Sequence, residues 1–124
     1  MDIKKRFQKR LRFRRAESHK GDYGRVLIVA GSIGMSGACI LTSQAALRSG
    51  AGLVTVGVPK SLAIPLARRM TEAMMKPLPE NKHGALSPKA FQLIRHLLNQ
   101  QDVLALGPGL SRSPDTQQLI RKLI

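Results

Sequence analysis

Apolar residues in this chain fall into runs separated by polar, glycine-rich or proline-rich stretches. "RVLIVAG" (25–31) is apolar at consecutive positions, the pattern of a strand buried on both faces, as parallel strands are. "SGACILTSQAALRSGAG" (36–52) follows, rich in alanine and small residues, and predicts a helix that packs closely on a sheet and stops at Gly50. "LVTVGVP" (53–59) is a second strand, dense in β-branched residues. "SLAIPLARRM" (61–70) predicts a short helix disturbed at Pro65. In "TEAMMKPLPE" (71–80), Pro77 and Pro79 argue against a central strand beyond Lys76.

"NKHGALS" (81–87) is a loop, and "SPKAFQLIRHLLNQQ" opens a helix over 88–101 with Ser87 as cap and Pro88 in the first turn. Phe91, Ile94, Leu97 and Leu98 form its buried stripe. "DVLALGPG" (102–109) is a further strand running into a glycine turn, and "SPDTQQLIRKLI" repeats the Ser-Pro start and is helical to the end. Strand and helix thus alternate about four times, which predicts an α/β fold, a parallel sheet with flanking helices.

Two glycine loops follow strands: "AGSIGMSGA" (30–38), with Gly31, Gly34 and Gly37 evenly spaced, and "LGPGLSRS" (106–113). In a parallel sheet, ligands bind at the carboxyl ends of the strands. Glycine there permits positive φ and lets a ligand approach bare backbone. The helix start after each loop has free N–H groups that favour anions. The same glycines also serve tight strand–helix turns without any ligand. Neither loop is a standard nucleotide motif. No lysine follows Gly37 as a P-loop requires, and Gly-x2-Gly-x2-Gly is one residue longer than the dinucleotide fingerprint. The second strand ends in Pro59-Lys60, where a ribose-binding acid would stand.

Composition adds a charge asymmetry. The chain of 124 residues carries a formal +14, and residues 1–15 hold eight basic residues against one acid. We read 1–15 as a basic arm and 16–124 as the domain. Ile3, Phe7 and Leu11 would share one helix face, leaving the arm as a solvated terminus or as a nucleic-acid or membrane contact. A mitochondrial presequence is disfavoured, because the arm carries an acid and no Ser or Thr. No apolar run approaches the roughly 20 residues of a membrane span. The single cysteine, Cys39, excludes an internal disulfide framework, fits a cytoplasmic location, and reads as a small core residue rather than a nucleophile. His19, His83 and His96 show no metal-ligand spacing, so no metal site is expected on these residues. Asp22 reads as turn chemistry, Asp102 opens a strand at the end away from ligands, and no carboxylate stands where a general base is needed.

"SHKGDYGRVLIVAGSIGMSGA", "AALRSGAGLVTVGVP" and "LALGPGL" resemble, in order and spacing, the ADP/ATP-dependent NAD(P)H-hydrate dehydratase family over residues 16–124. The resemblance implies a ribokinase-like fold, here its first half only. It implies a metabolite-repair lyase that removes water from hydrated NADH and NADPH, driven by ADP or ATP with Mg2+. Carried over by position, Ala38 and Gly109 become substrate contacts, with Gly31, Gly34 and Gly37 shaping the pocket. The family continues through a second half with a His-Pro-Gly-Glu type motif and a Gly-x-Gly-Asp turn whose aspartate is the base. Nothing after Gly109 matches either. The expectation is therefore a chain cut short, with no catalytic residue and the aspartate lying beyond residue 124. Half a parallel sheet leaves an open edge and bare apolar faces, so self-association is expected; a DNA partner is not. Two other readings stay open: part of a ribokinase-like small-molecule kinase, and a nucleic-acid or membrane module led by the arm.

Overall fold

The computed structural model describes residues 2–8 and 14–124. The chain forms α1 (Ile3–Gln8), β1 (Arg25–Val29), α2 (Gly37–Arg48), β2 (Leu53–Pro59), α3 (Lys60–Ala67), β3 (Met74–Leu78), α4 (Phe91–Leu98), β4 (Val103–Leu106) and α5 (Pro114–Leu123). Single 3-10 turns stand at Lys20–Tyr23 and Pro88–Ala90. Of the predicted arm stripe, Leu11 lies outside the described residues; Ile3 is exposed.

The four strands are parallel, in the order β3-β2-β1-β4. Side chains alternate across such a sheet, and two cores result. On one face Ile28, Val54, Val56 and Val58 pack with Cys39 of α2 and with Ala63 and Leu66 of α3. On the other, Leu27 and Val29 pack with Ala90, Ile94 of α4 and Leu119 of α5. The unbroken apolar runs of β1 and β2 follow from this double burial.

α2 ends as its sequence foretells. Gly50 has φ +102°, its N–H bonds to Leu47 O, and the Ala51 N–H bonds to Ala46 O, a Schellman closure. The arm's last residues are tied to this closure: Arg14 donates to Gly50 O at 3.2 Å and lies over the Tyr23 ring at 4.3 Å. Asp22 caps the preceding 3-10 turn reciprocally with His19. Asp102 accepts the Arg25 N–H at 2.8 Å and so joins the start of β4 to the start of β1.

Three local expectations change. β3 runs through Pro77 to Leu78 instead of stopping at Lys76, because it is an edge strand, where a missing N–H need cost no ladder bond. α3 continues through Pro65, which is exposed. The helix foreseen over 88–101 is a 3-10 turn followed by α4, which ends at Leu98; Ser87 does cap it, accepting from Lys89 N–H. Ser113, by contrast, makes no cap bond to α5.

Candidate functional site

The loops that follow β1, β3 and β4 meet at the carboxyl end of the sheet. Leaving β1, Ala30 donates to Gly57 O and Gly31 donates to Pro108 O at 3.0 Å. Leaving β4, Gly107 donates to Val29 O at 2.8 Å. The buried Ser32 hydroxyl donates to Gly109 O at 2.8 Å, so the two glycine loops are held by hydrogen bonds in both directions. The third loop joins through Ile33 N–H to Gly84 O at 3.0 Å, with the Ile33 side chain against the Gly84 backbone.

Two glycines are required by this geometry. Gly31 has φ +84°, and a methyl group there would lie 2.3 Å from Cys39 Sγ. Gly109 has φ +72°, and a methyl group there would lie 2.9 Å from Met35 O and 3.1 Å from Ala38 Cβ. Both conformations are disfavoured for residues with a Cβ. Over Gly34 and Gly37 the space is open: a Cβ at either would meet nothing within 4 Å. Ala38 and Gly109 are therefore neighbours in one wall, with Gly37 and Gly34 along its bare rim.

That wall also includes the first turn of α2. Ser36, at its cap position, makes no side-chain hydrogen bond to the turn; its carbonyl accepts from the Cys39 amide at 3.2 Å, and the Gly37 and Ala38 amides are not covered by their own cap. Met35 and Ile33 are exposed beside it. The surface offers backbone amides, small residues and two apolar side chains. It can bind and orient a ligand with a negative or carbonyl-bearing part.

Two carboxylates stand at this end of the molecule, Glu80 and Asp115. Both are engaged. Glu80, two residues past β3, accepts from the Ser61 N–H at 3.2 Å and the Ser61 hydroxyl at 2.7 Å, capping α3. Asp115, in the first turn of α5, accepts from Asn81 Nδ2 at 3.3 Å. Sequence reasoning also missed Asn81, the organiser of the third loop. Its Oδ1 accepts from the His83 and Ala85 amides, and its Nδ2 donates to Ser113 Oγ at 2.9 Å. An Asn three residues before a glycine, in the loop "NKHG", is the available signal.

Cys39 is buried and its thiol is pushed up to about 11 by that burial, partly offset by a backbone hydrogen bond. It is a core residue, and its thiol is inert at neutral pH. Among the described residues no group of three or more His, Cys, Asp or Glu side chains is placed to hold a metal ion. A cleft of about 280 Å³ between α2 and the turn after α3, lined by Arg48, Arg69 and Glu72 among others, is set apart from the glycine loops.

The chain is similar to known proteins over most of its length. The sequence profile of the Carb_kinase family, described as NAD(P)H-hydrate dehydratase, matches residues 26–124. A bifunctional NAD(P)H-hydrate repair enzyme of Moorella thermoacetica is 50% identical over 111 residues, 90% of this chain and 21% of that protein. An ADP-dependent (S)-NAD(P)H-hydrate dehydratase of Streptococcus pneumoniae is 38% identical over 110 residues, 89% of this chain and 34% of that protein. Among solved structures, a ribokinase-like superfamily protein from Enterococcus faecalis superposes with TM-score 0.79 at 29% identity, over 97% of this chain and 39% of that one. The ADP/ATP-dependent NAD(P)H-hydrate dehydratase from Bacillus subtilis, co-crystallized with ATP and Mg2+, gives TM-score 0.73 at 28% identity, over 96% of this chain and 40% of that one. The chain spans between about a fifth and two fifths of the length of these relatives.

Proposed function

The chain belongs to the NAD(P)H-hydrate dehydratase family, a family of lyases with the ribokinase-like fold, and on that premise we propose that its two glycine loops form the substrate wall for hydrated NADH and NADPH. The observation that carries the reading is the apposition of Ala38 and Gly109 with open space over Gly34 and Gly37. The dinucleotide lies against bare backbone there. The first amides of α2 meet an anionic or carbonyl oxygen, and Met35 and Ile33 shield one side from water.

The reaction in this proposal is the nucleotide-dependent removal of water from the S-form of the hydrate. The relatives' names and the ATP/Mg2+ co-crystal support ADP or ATP as co-substrate. Mg2+ does not fit the described residues, which offer no metal-ligand cluster, so no step is routed through it. Glu80 and Asp115 hold structural hydrogen bonds, and neither is assigned as base. This chain's part is to bind and orient.

The proposal divides the chain into an arm, 1–15, and the domain, 16–124. It includes a cytoplasmic location, supported by Cys39 being a free thiol inside the core. It includes self-association, supported by the apolar edge strand β4, where Val103 is 54% exposed. No helix among the described residues is long and apolar enough to cross a membrane.

Calorimetric titration tests the reading. S-form hydrated NADPH should bind saturably to this chain, and more tightly than NADPH does. Absence of saturable binding, or equal binding of the two, would overturn it.

A further inference from the structure

The hydrogen bonds that join the two glycine loops are not equivalent. Two run between backbone groups, Gly31 N–H to Pro108 O and Gly107 N–H to Val29 O, and they fix the second loop as far as Pro108. Past Pro108, among the described residues, the one bond back to the first loop comes from a side chain: the Ser32 hydroxyl donates to Gly109 O at 2.8 Å. Ser32 is 2% exposed, and its own carbonyl accepts from the Met35 N–H at 2.9 Å. It is a donor held in place by a turn and by burial.

The peptide after Gly109 needs such a donor. A glycine, lacking a Cβ, leaves the peptide that follows it free to turn over. Ser111, two residues on, stands at φ +84°, an uncommon conformation for a residue with a side chain, so local preference does not supply the shape of this loop. The Gly109–Leu110 peptide is trans, and its N–H therefore points opposite to its C=O. With the carbonyl turned onto Ser32, the Leu110 N–H is turned away from Ser32. Among the described residues that N–H has no hydrogen-bond partner. Leu110 is only partly buried, and its side chain packs on the core beneath α4 and α5. An anchored peptide thus displays one unpaired donor, a single residue from the contact between Gly109 and Ala38.

We infer that Ser32 is a positioning residue: its hydroxyl holds the Gly109–Leu110 peptide so that the Leu110 N–H meets an acceptor oxygen of the bound dinucleotide. The inference rests on the substrate reading above and adds to it a named donor and the group that aims it. Ser32 itself does not touch the ligand.

Amide-resolved NMR and hydrogen exchange of the full chain with S-form hydrated NADPH test this. At saturation the Leu110 amide proton of the unmodified chain should move downfield and exchange with solvent about tenfold more slowly than in the free chain. Ser32→Ala removes the donor, and Ser32→Cys keeps the volume with only a weak donor. Each should bind hydrated NADPH about tenfold more weakly. Each should lose the protection of Leu110 at saturation and keep that of Gly107, whose N–H has its own backbone acceptor. A Ser32 that serves only packing would lower stability and leave Leu110 protected as in the parent. If a variant does not fold, the Leu110 exchange of the unmodified chain decides. Absence of saturable binding to the unmodified chain would overturn the substrate reading and this inference with it. Saturable binding with Leu110 exchange unchanged, or parental affinity in a folded Ser32→Ala or Ser32→Cys, would overturn this inference alone.

Discussion

Gly109 and Ala38 touch across the carboxyl ends of β4 and β1: a methyl group on Gly109 would lie 3.1 Å from the Ala38 Cβ and 2.9 Å from the neighbouring Met35 carbonyl oxygen. Gly109→Ala places a Cβ at φ +72° and against that oxygen. The conformation alone costs about 1–2 kcal/mol. Chemical denaturation should show at least that loss. Where the variant still folds, its affinity for hydrated NADPH should fall further than its stability explains, because the wall itself has moved.

Gly31 and Cys39 form a second tight pair, with 2.3 Å between a Cβ at 31 and Cys39 Sγ. Gly31→Ala should destabilise by about 2–3 kcal/mol through overpacking and left-handed φ together. Cys39→Ala removes the overlapping sulfur. In a double-mutant cycle the pair should be less destabilised than the sum of the single changes, by about 1 kcal/mol or more. Strict additivity would show that the two residues do not meet.

The Cys39 thiol also sets a pH dependence. Its folded pKa is raised from 9.0 to about 11 by burial. Between those values the unfolded chain loses the proton while the native chain keeps it, so stability falls as pH rises. The thiol's contribution is full below pH 9 and lost through pH 11. Denaturation curves of the parent and of Cys39→Ala, compared from pH 8 to pH 11, should show a steeper decline in the parent. Parallel curves would mean that the thiol is solvated.

The Asn81 side chain makes four hydrogen bonds, two to amides of its own loop and two to Ser113 and Asp115 at the start of α5. Asn81→Ala should cost about 2–3 kcal/mol. Asn81→Asp keeps the acceptors for the His83 and Ala85 amides but sets a carboxylate against Asp115. Its deficit should therefore shrink as pH falls toward the carboxylate range, where protonation relieves the repulsion. Thermal melts at pH 4 and pH 7 read this difference.

β4 presents Val103 at an open sheet edge. Sedimentation of the chain at micromolar concentration should show species larger than the 13.6 kDa monomer. Val103→Lys, a charge on the edge, should shift them toward monomer. A parent chain that is monomeric and folds cooperatively would contradict the self-association.

The legible parts of the fold are those where local pattern and final environment agree. β1 and β2 are unbroken apolar runs because both faces are covered, and α2 ends at a glycine because the chain turns there. Pro77 and Pro79 argue against a central strand beyond Lys76, yet β3 runs on to Leu78. Its edge position, which only the assembled sheet reveals, removes that objection. The site divides in the same way. The glycine loops are visible as motifs, since their spacing encodes backbone shape. That Gly109 meets Ala38, that Glu80 caps α3 and that Asn81 ties a loop to α5 are contacts between distant segments, and no local pattern carries them.

The most direct test of the substrate wall is an amide-resolved NMR titration with S-form hydrated NADPH. The account predicts saturable shifts confined to 31–38 and 107–110, spreading to Gly84 through Ile33. Saturable shifts centred anywhere else, with these loops unmoved, would contradict it.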